Sequence, residues 1–510
     1  MVARMAAALH RVVTEATIDT AGVGGVLEPR SDMVLERPIG PGLFEAAEGP
    51  VTSYRRQVVV ETGDGGRGRV SQTVEFRLAV PWVGWLFLLP ARRHLGSLER
   101  PSRSPWWLPP SRLDARTTRT LTALAALALV DGYLGTVLTQ TATFAAREFG
   151  ASDRALGVAL AAVRADVALA FVLVALADRR GRRRLLLGCT AAGCTLTMVG
   201  ALSPSLAWLA GSQVVSRGFV TAAVILLAVV AAEEVPAGAR AYSFGILVLT
   251  AALGAGLCAI LLTLADIGPG GWRALYLVPV VGLILLIPIA RKLPESRRFV
   301  APHAIATLRG HGWRLWLLAS SRFLLNLFLV PATQYQNQFL RAERGFSGAR
   351  ISLFLIGTNT PGGIGVVAGG RLADVRGRRV VAGVGLIGGV GATVAMYSTR
   401  GWPMWSAAVA AAIIGAAVLP ALGVYGPELF PTSLRGRANG LLYVSDRLGG
   451  ASGLLTVGFL AGPLGGLGRP LALLALGPLA LSVIVLTLFP ETAGVELETL
   501  NPEDARSKDG

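Results

Sequence analysis

The stretch LADRRGRRR at residues 176–184 returns as GRLADVRGRR at residues 370–379, and this return decides the fold. The two aspartates, Asp178 and Asp374, stand 196 positions apart. Outward from them the echo continues. Glu233, Pro236 and Arg240 return as Glu428, Pro431 and Arg435, 195 positions on. Pro294-Glu295-Ser296 returns as Pro490-Glu491-Thr492, 196 positions on. Three motif pairs at one offset imply a duplicated unit, the construction of many secondary transporters with two parallel halves.

What lies between the motifs is apolar. The chain of 510 residues is 53% hydrophobic and 15% charged, with a mean hydropathy of +0.57. A soluble domain carries about a quarter charged residues. Here the apolar residues fall into blocks of about 20, the length that crosses a hydrocarbon core. Twelve such segments are expected, near residues 120–142, 155–177, 185–203, 206–231, 241–265, 272–290, 314–339, 351–370, 380–399, 403–426, 438–461 and 470–489. The expected fold is an all-α membrane protein, two six-helix pseudo-repeats around a central cavity. Its bundles cover residues 118–290 and 314–489, joined by a central loop at 291–313 and followed by a tail at 490–510.

Residues 1–112 read differently, as a small α+β extension. Val74, Phe76 and Leu78 alternate with Thr73, Glu75 and Arg77, and Gly63-Asp64-Gly65-Gly66 is a hairpin turn signal. The run from Ala79 to Ala91 is too short to span and is followed by Arg92, Arg93 and His94. It reads equally as a segment in the headgroup layer or as the edge of a small soluble core. Met1 to His10 is too short for a cleaved signal.

The charge excludes several functions by its distribution. A net charge of +17 invites nucleic acid, but the arginines come in bursts between apolar blocks, as topology signals do. Cys189, Cys194 and Cys258 lie inside apolar blocks, with no CxxC or Cys/His spacing, so no metal or cofactor is expected. His10, His94, His303 and His311 all lie outside them, which removes a histidine relay within the membrane. No GxxxxGK loop appears, which argues against primary pumping; the chain reads as a carrier and not an enzyme. Connections on the motif side carry eighteen Arg or Lys residues against eight opposite. The positive-inside rule then puts the motif loops and both termini in the cytoplasm, for a multi-pass protein of the inner membrane.

The Asp-x-x-Gly-Arg-Arg loops resemble the signature loop of the major facilitator superfamily over residues 118–500. The second copy is full, with Gly370, Leu372, Asp374, Gly377, Arg378 and Arg379; the first has Val174 in place of the glycine. Pro294-Glu295-Ser296-Arg297-Arg298 is similar to the sugar-porter sequence after helix 6, and Pro490-Glu491-Thr492 to its counterpart after helix 12. Asp131-Gly132-Tyr133 resembles the first helix of aromatic-acid/proton symporters, although Leu134 replaces the closing aspartate. The resemblance implies charged clusters that shut the cytoplasmic side. Arg182, Glu233, Arg240 and Glu491 are expected in one cluster, and Arg378, Glu428, Arg435 and Glu295 in the other. Asp178 and Asp374 sit at helix ends, where helix N-termini and arginines favour a carboxylate. Each pair, taken as exposed, is worth about 0–1 kcal/mol, and several together bias a two-state equilibrium.

Ionisable residues deep in a segment cost about 2.5–3.5 kcal/mol each and mark a cavity. Asp131, Arg164, Asp166, Arg217, Arg322, Asp446 and Arg447 are such residues. Asp131, Arg164, Asp166, Arg217 and Asp446 are the candidates for proton coupling, with Asp131 paired to Arg164 or Arg217. In many family members helix 4 has its arginine near position 213, where this chain has Gln213. Segment 7 ends in Pro331-Ala-Thr333-Gln334-Tyr335-Gln336-Asn337-Gln338, a polar stretch behind a proline that suits a broken helix facing a cavity. Gln334, Asn337 and Gln338, with Asn326 and with Asn359 of segment 8, are the substrate candidates. Trp208, Trp272, Trp402, Trp313 and Trp316 read as interface belts. The whole is expected to carry a small polar organic solute, sugar-like or an organic acid, driven by protons, as a monomer in the lipid bilayer. Multidrug efflux and a transport-inactive solute sensor are the alternatives.

Overall fold

The computed structural model describes residues 9–62, 67–81, 84–99, 105, 107–151, 155, 158–159, 162–300 and 308–504. The chain forms two compact units, Met1–Ala123 and Leu124–Gly510.

The first unit is a five-stranded antiparallel sheet in the order β1-β5-β4-β3-β2. Its strands are β1 (His10–Asp19), β2 (Leu35–Gly40), β3 (Leu43–Glu48), β4 (Val51–Thr62) and β5 (Arg67–Leu78). The expected alternation holds, with Val74, Phe76 and Leu78 buried on one face. The turn between β4 and β5, residues 63–66, lies outside the described residues. Two helices accompany the sheet, α1 (Thr20–Leu27) and α2 (Gly84–Gly96). Of the two readings of the run before Arg92, the structure shows the packed one on a single side of α2. Ala91 and Leu95 close over Val74 and Phe76, while Trp85, Phe87 and Leu89 stay exposed. A buried polar network pins the sheet: Arg56 binds Glu36 at 2.7 Å, and the Tyr54 hydroxyl donates to Glu36 at 2.5 Å. Burial works against a charged Asp32, yet hydrogen bonds from His94 and Arg30 outweigh it and hold the carboxyl well below its usual range.

The second unit is helical. Ten helices among the described residues are long and apolar enough to cross a membrane. They are α3 (Ala115–Glu148, which begins in the first unit), α5 (Arg182–Leu202), α6 (Leu206–Glu234), α7 (Ala237–Ala265), α8 (Arg273–Lys292), α9 (Gly312–Glu343), α10 (Arg350–Arg376), α11 (Arg378–Ser398), α12 (Gly401–Glu428) and α14 (Gly468–Leu488). Two further helices occupy the remaining apolar segments. One, α4 (Asp166–Arg180), follows a 3-10 turn at Val163–Ala165. The other, α13 (Arg435–Leu460), carries Asp446 and Arg447 in its middle.

The cores of this unit show where its halves meet. At the end away from the motif loops, one cluster is drawn wholly from residues 133–278 and another wholly from residues 328–479. At the motif end the third large cluster takes Ala241 and Phe244 of the first half into a core otherwise built from residues 315–489. Packing between halves runs along α4 against α13, where Gly440 meets Phe171, and along α7 against α10, where Gly245 meets Val366. The halves are therefore joined at the motif end and keep separate cores at the far end.

Trp272 is a correction to the interface belt. It is fully buried, edge-on to Phe149 and Tyr276, and its indole N–H donates to Glu148 at 2.5 Å. A charged acceptor within reach fixes the ring inside the core, whereas Trp208, Trp313, Trp316 and Trp402 are exposed as expected.

Candidate functional site

Two constellations of the same design lie at the motif end. Each begins at a glycine. Gly181 and Gly377 separate α4 from α5 and α10 from α11, with φ of 102° and 100°. That conformation disfavours any side chain. A Cβ at Gly181 would also sit 2.8 Å from Glu295 Oε2, and one at Gly377 would sit 2.7 Å from Glu491 Oε2. The space is taken because each glutamate caps the helix that follows. Glu295 accepts the backbone N–H groups of Arg182 at 3.1 Å and Arg183 at 2.9 Å. Glu491 accepts those of Arg378 at 3.0 Å and Arg379 at 3.2 Å. Negative charge on unpaired N–H groups is the favourable arrangement at a helix start.

The aspartates cap helices of the opposite half. Asp178, at the end of α4, accepts the N–H groups of Gly436 and Arg437 at the start of α13, both at 3.1 Å. Asp374, at the end of α10, accepts those of Ala241 at 3.1 Å and Tyr242 at 2.8 Å, near the start of α7. The substitution of Val174 for glycine is compensated from the other side. In the second copy Gly370 lets α10 approach the backbone of Ala241; in the first copy Gly436 and Gly440 of α13 give the room.

Between the caps lie two Arg-Glu-Arg triads. Glu233 binds Arg182 of its own half and Arg435 of the other. Glu428 binds Arg378 of its own half and, at 3.4 Å, Arg240 of the other. The expected grouping is therefore corrected: Arg240 and Arg435 trade places, and so do Glu295 and Glu491. Each glutamate after the fourth segment of a half recruits the arginine that opens a helix across the interface. The expectation of exposed pairs is corrected too, since all four guanidinium groups are at most 2% exposed. Partners to which the sequence reading gave no role complete the sites. Asp504 binds Arg435 at 3.3 Å, Glu496 binds Arg240 at 3.2 Å, and Ser296 donates to Glu233 at 2.5 Å. Their signal was weak because two of them lie beyond the repeated motifs.

The charges within the apolar segments pair in a way that the sequence did not give. Asp166 binds Arg447 across the interface at 3.1 Å and accepts from the Thr221 hydroxyl at 2.8 Å. Asp446 accepts from Asn326 at 2.6 Å and pairs with Arg322 at 3.4 Å. Asp131 is buried facing Cys189, Thr190 and Cys194 of α5 and joins no ion pair among the described residues. The expected pairing with Arg217 is not found: Arg217 donates to the carbonyl of Gly135, one turn along α3. The side chain of Arg164 lies outside the described residues. Segment 7 breaks at Tyr335, four residues after Pro331, and Gln334, Asn337 and Gln338 are exposed around the break. Asn359 is exposed one turn beyond Gly363, which packs near Leu249 of the first half.

Two halves with apolar spans, locked at one end by mirrored charge clusters, define a multi-pass membrane carrier. The chain belongs to the Major Facilitator Superfamily, whose family model matches residues 121–339 and 315–507. It is a transporter and not an enzyme. Among curated proteins it is 25% identical over 214 residues to the cis,cis-muconate transport protein of Acinetobacter baylyi. That match covers 38% of this chain and about half of the relative, 50% of its length. Among solved structures, the proton:xylose symporter XylE matches with a TM-score of 0.65 at 17% identity, covering 76% of this chain and 99% of that one. The human organic anion transporter TETRAN matches with a TM-score of 0.61 at 17% identity, covering 72% and 99%. The E. coli fucose:proton symporter FucP matches with 0.59 at 11%, covering 72% and 98%. These likenesses show the fold.

Proposed function

We propose that this protein is a secondary transporter that moves a small polar organic solute, an organic acid or a sugar-like molecule, across the inner membrane by alternating access coupled to protons. The observation that carries the reading is the asymmetry of the two ends. Buried triads and crossed helix caps join the halves at the motif end, while separate cores leave them apart at the other. Such an arrangement is one of two states, and a transporter needs a bistable interface of this kind. The proposed layout has twelve spans in two pseudo-repeats, bundles at 118–290 and 314–489, and both termini in the cytoplasm. The solute enters between the separate cores, where Asn326, Gln334, Asn337, Gln338 and Asn359 are proposed to meet it.

Asp131 is the proposed proton carrier. Among the described residues it is an acid without an ionic partner inside the first bundle, so a proton is its available counter-charge. The relative named for cis,cis-muconate transport and the two named for proton symport support an acid or sugar moved with protons. The test uses vesicles under an imposed pH gradient. Asp131→Asn should lose gradient-driven accumulation of the solute but keep solute exchange. Undiminished accumulation in that variant would remove Asp131 from the mechanism.

A further inference from the structure

Asp446 and Arg447 are neighbours on α13 that point in different directions. Asp446 turns to Arg322 and Asn326 of its own half. Arg447 turns across the interface to Asp166. On α4, Asp166 lies twelve residues from Asp178, and on α13, Arg447 lies twelve residues from Arg435. At 1.5 Å per residue both are about 18 Å from the motif end, near the bilayer midplane. The pair thus stands deep in the interface of α4 with α13, on the side that faces the separate cores.

Its two members are not equally enclosed. The side chain of Asp166 is 1% exposed and held by Thr221, whereas that of Arg447 is 36% exposed. The contact is also incomplete, because among the described residues Arg447 Nε and Asp166 Oδ1 are buried with no hydrogen-bond partner. A guanidinium has five donors in a planar fork that fits a carboxylate through two parallel bonds. Asp166 uses that fork through a single oxygen. A second guanidinium, that of Arg322, is 25% exposed and bound to Asp446 beside Arg447.

We infer that the transported solute is an organic acid whose carboxylate binds the fork of Arg447 and displaces Asp166 from it. The inference rests on the transporter reading above and deepens it by naming the substrate class. Displacement has a consequence that a neutral sugar would lack. It removes the ion pair that joins the halves at mid-depth, so binding the acid loosens the interface that must part. Asp166 acts here as an internal competitor, a carboxylate that holds the site until the solute arrives.

The experiment is equilibrium binding to the full-length protein in lipid nanodiscs, with vesicle uptake measured in parallel. The probes are cis,cis-muconate and benzoate, with dimethyl muconate and D-xylose as neutral controls. Acids should bind and neutral probes should not. Asp166→Asn should tighten acid binding by roughly 10-fold, because the competitor is gone. Arg447→Gln should weaken it by roughly 30-fold or more, and Arg447→Lys, which keeps the charge without the fork, should recover only part. Asp166→Asn also guards against a merely misfolded variant, since a structural role predicts loss there and displacement predicts gain. Acid affinity retained in Arg447→Gln, weakened binding in Asp166→Asn, or binding of D-xylose in place of the acids would each overturn the inference. Uptake of D-xylose alone would overturn this inference and leave the transporter reading standing, whereas acid binding without uptake of any probe would contradict the transporter reading and, with it, the statement that the bound acid is transported.

Discussion

Asp374 accepts three hydrogen bonds with one side chain: two from backbone N–H groups of α7 and one from Arg378 at 3.3 Å. An amide in its place keeps one acceptor oxygen and loses the charge. Hydrogen bonds to a charged group are worth about 1.5–3 kcal/mol, so the balance should move toward separated halves by roughly 10-fold or more. Asp374→Asn should therefore leave expression and solute binding near wild type while transport slows about 10-fold, since a factor of ten in an equilibrium is 1.4 kcal/mol. Lost binding with intact saturated transport would contradict a role in the gate. This residue was legible in the sequence because its motif is repeated at a fixed offset. Its backbone partners across the interface were not. Ala241 and Tyr242 contribute backbone only, and no residue type announces that.

Among the elements, the same limit explains the exchange of arginines between the two expected clusters. The repeat marks Arg240 and Arg435 as equivalent, but which glutamate each meets depends on how the helices cross. Packing of α4 on α13 and of α7 on α10 decides it. Burial was also hidden, because loops rich in arginine read as solvated until two halves close over them. The energetic consequence follows from burial. A buried ion triad adds little net stability, but removing its shared acid leaves two buried guanidinium groups with only Glu496 and Asp374 as counter-charges and costs about 3 kcal/mol. Glu428→Gln should lower the free energy of unfolding by that order, measured by chemical unfolding of the detergent-solubilised protein. A change within about 0.5 kcal/mol would show that the triad is not closed in the solubilised protein. Trp272 makes the same point from the other side. Its position at a segment end suggested an interface, and only the nearby Glu148 and Tyr276 draw it into the core.

For the molecule as a whole, the sequence displayed the architecture more fully than the site. Apolar block length and basic loop bias act locally and are written residue by residue, whereas ion pairs such as Asp166 with Arg447 join positions 281 residues apart. The orientation proposed from that bias is open to a direct check. A phosphatase reporter inserted after Gly150 should be active in the periplasm, and the same reporter after Gly510 should be inactive there. The reverse pair of results would invert the assignment. Alternating access requires the motif end to part during each cycle, and a reversible crosslink across it blocks that step. Cysteines in place of Arg179 on α4 and Arg437 on α13 flank the Asp178 cap, and the native Cys189, Cys194 and Cys258 are buried away from reagent. Uptake of the solute identified by binding should stop on crosslinking and return on reduction. Full uptake by the crosslinked protein would contradict the account.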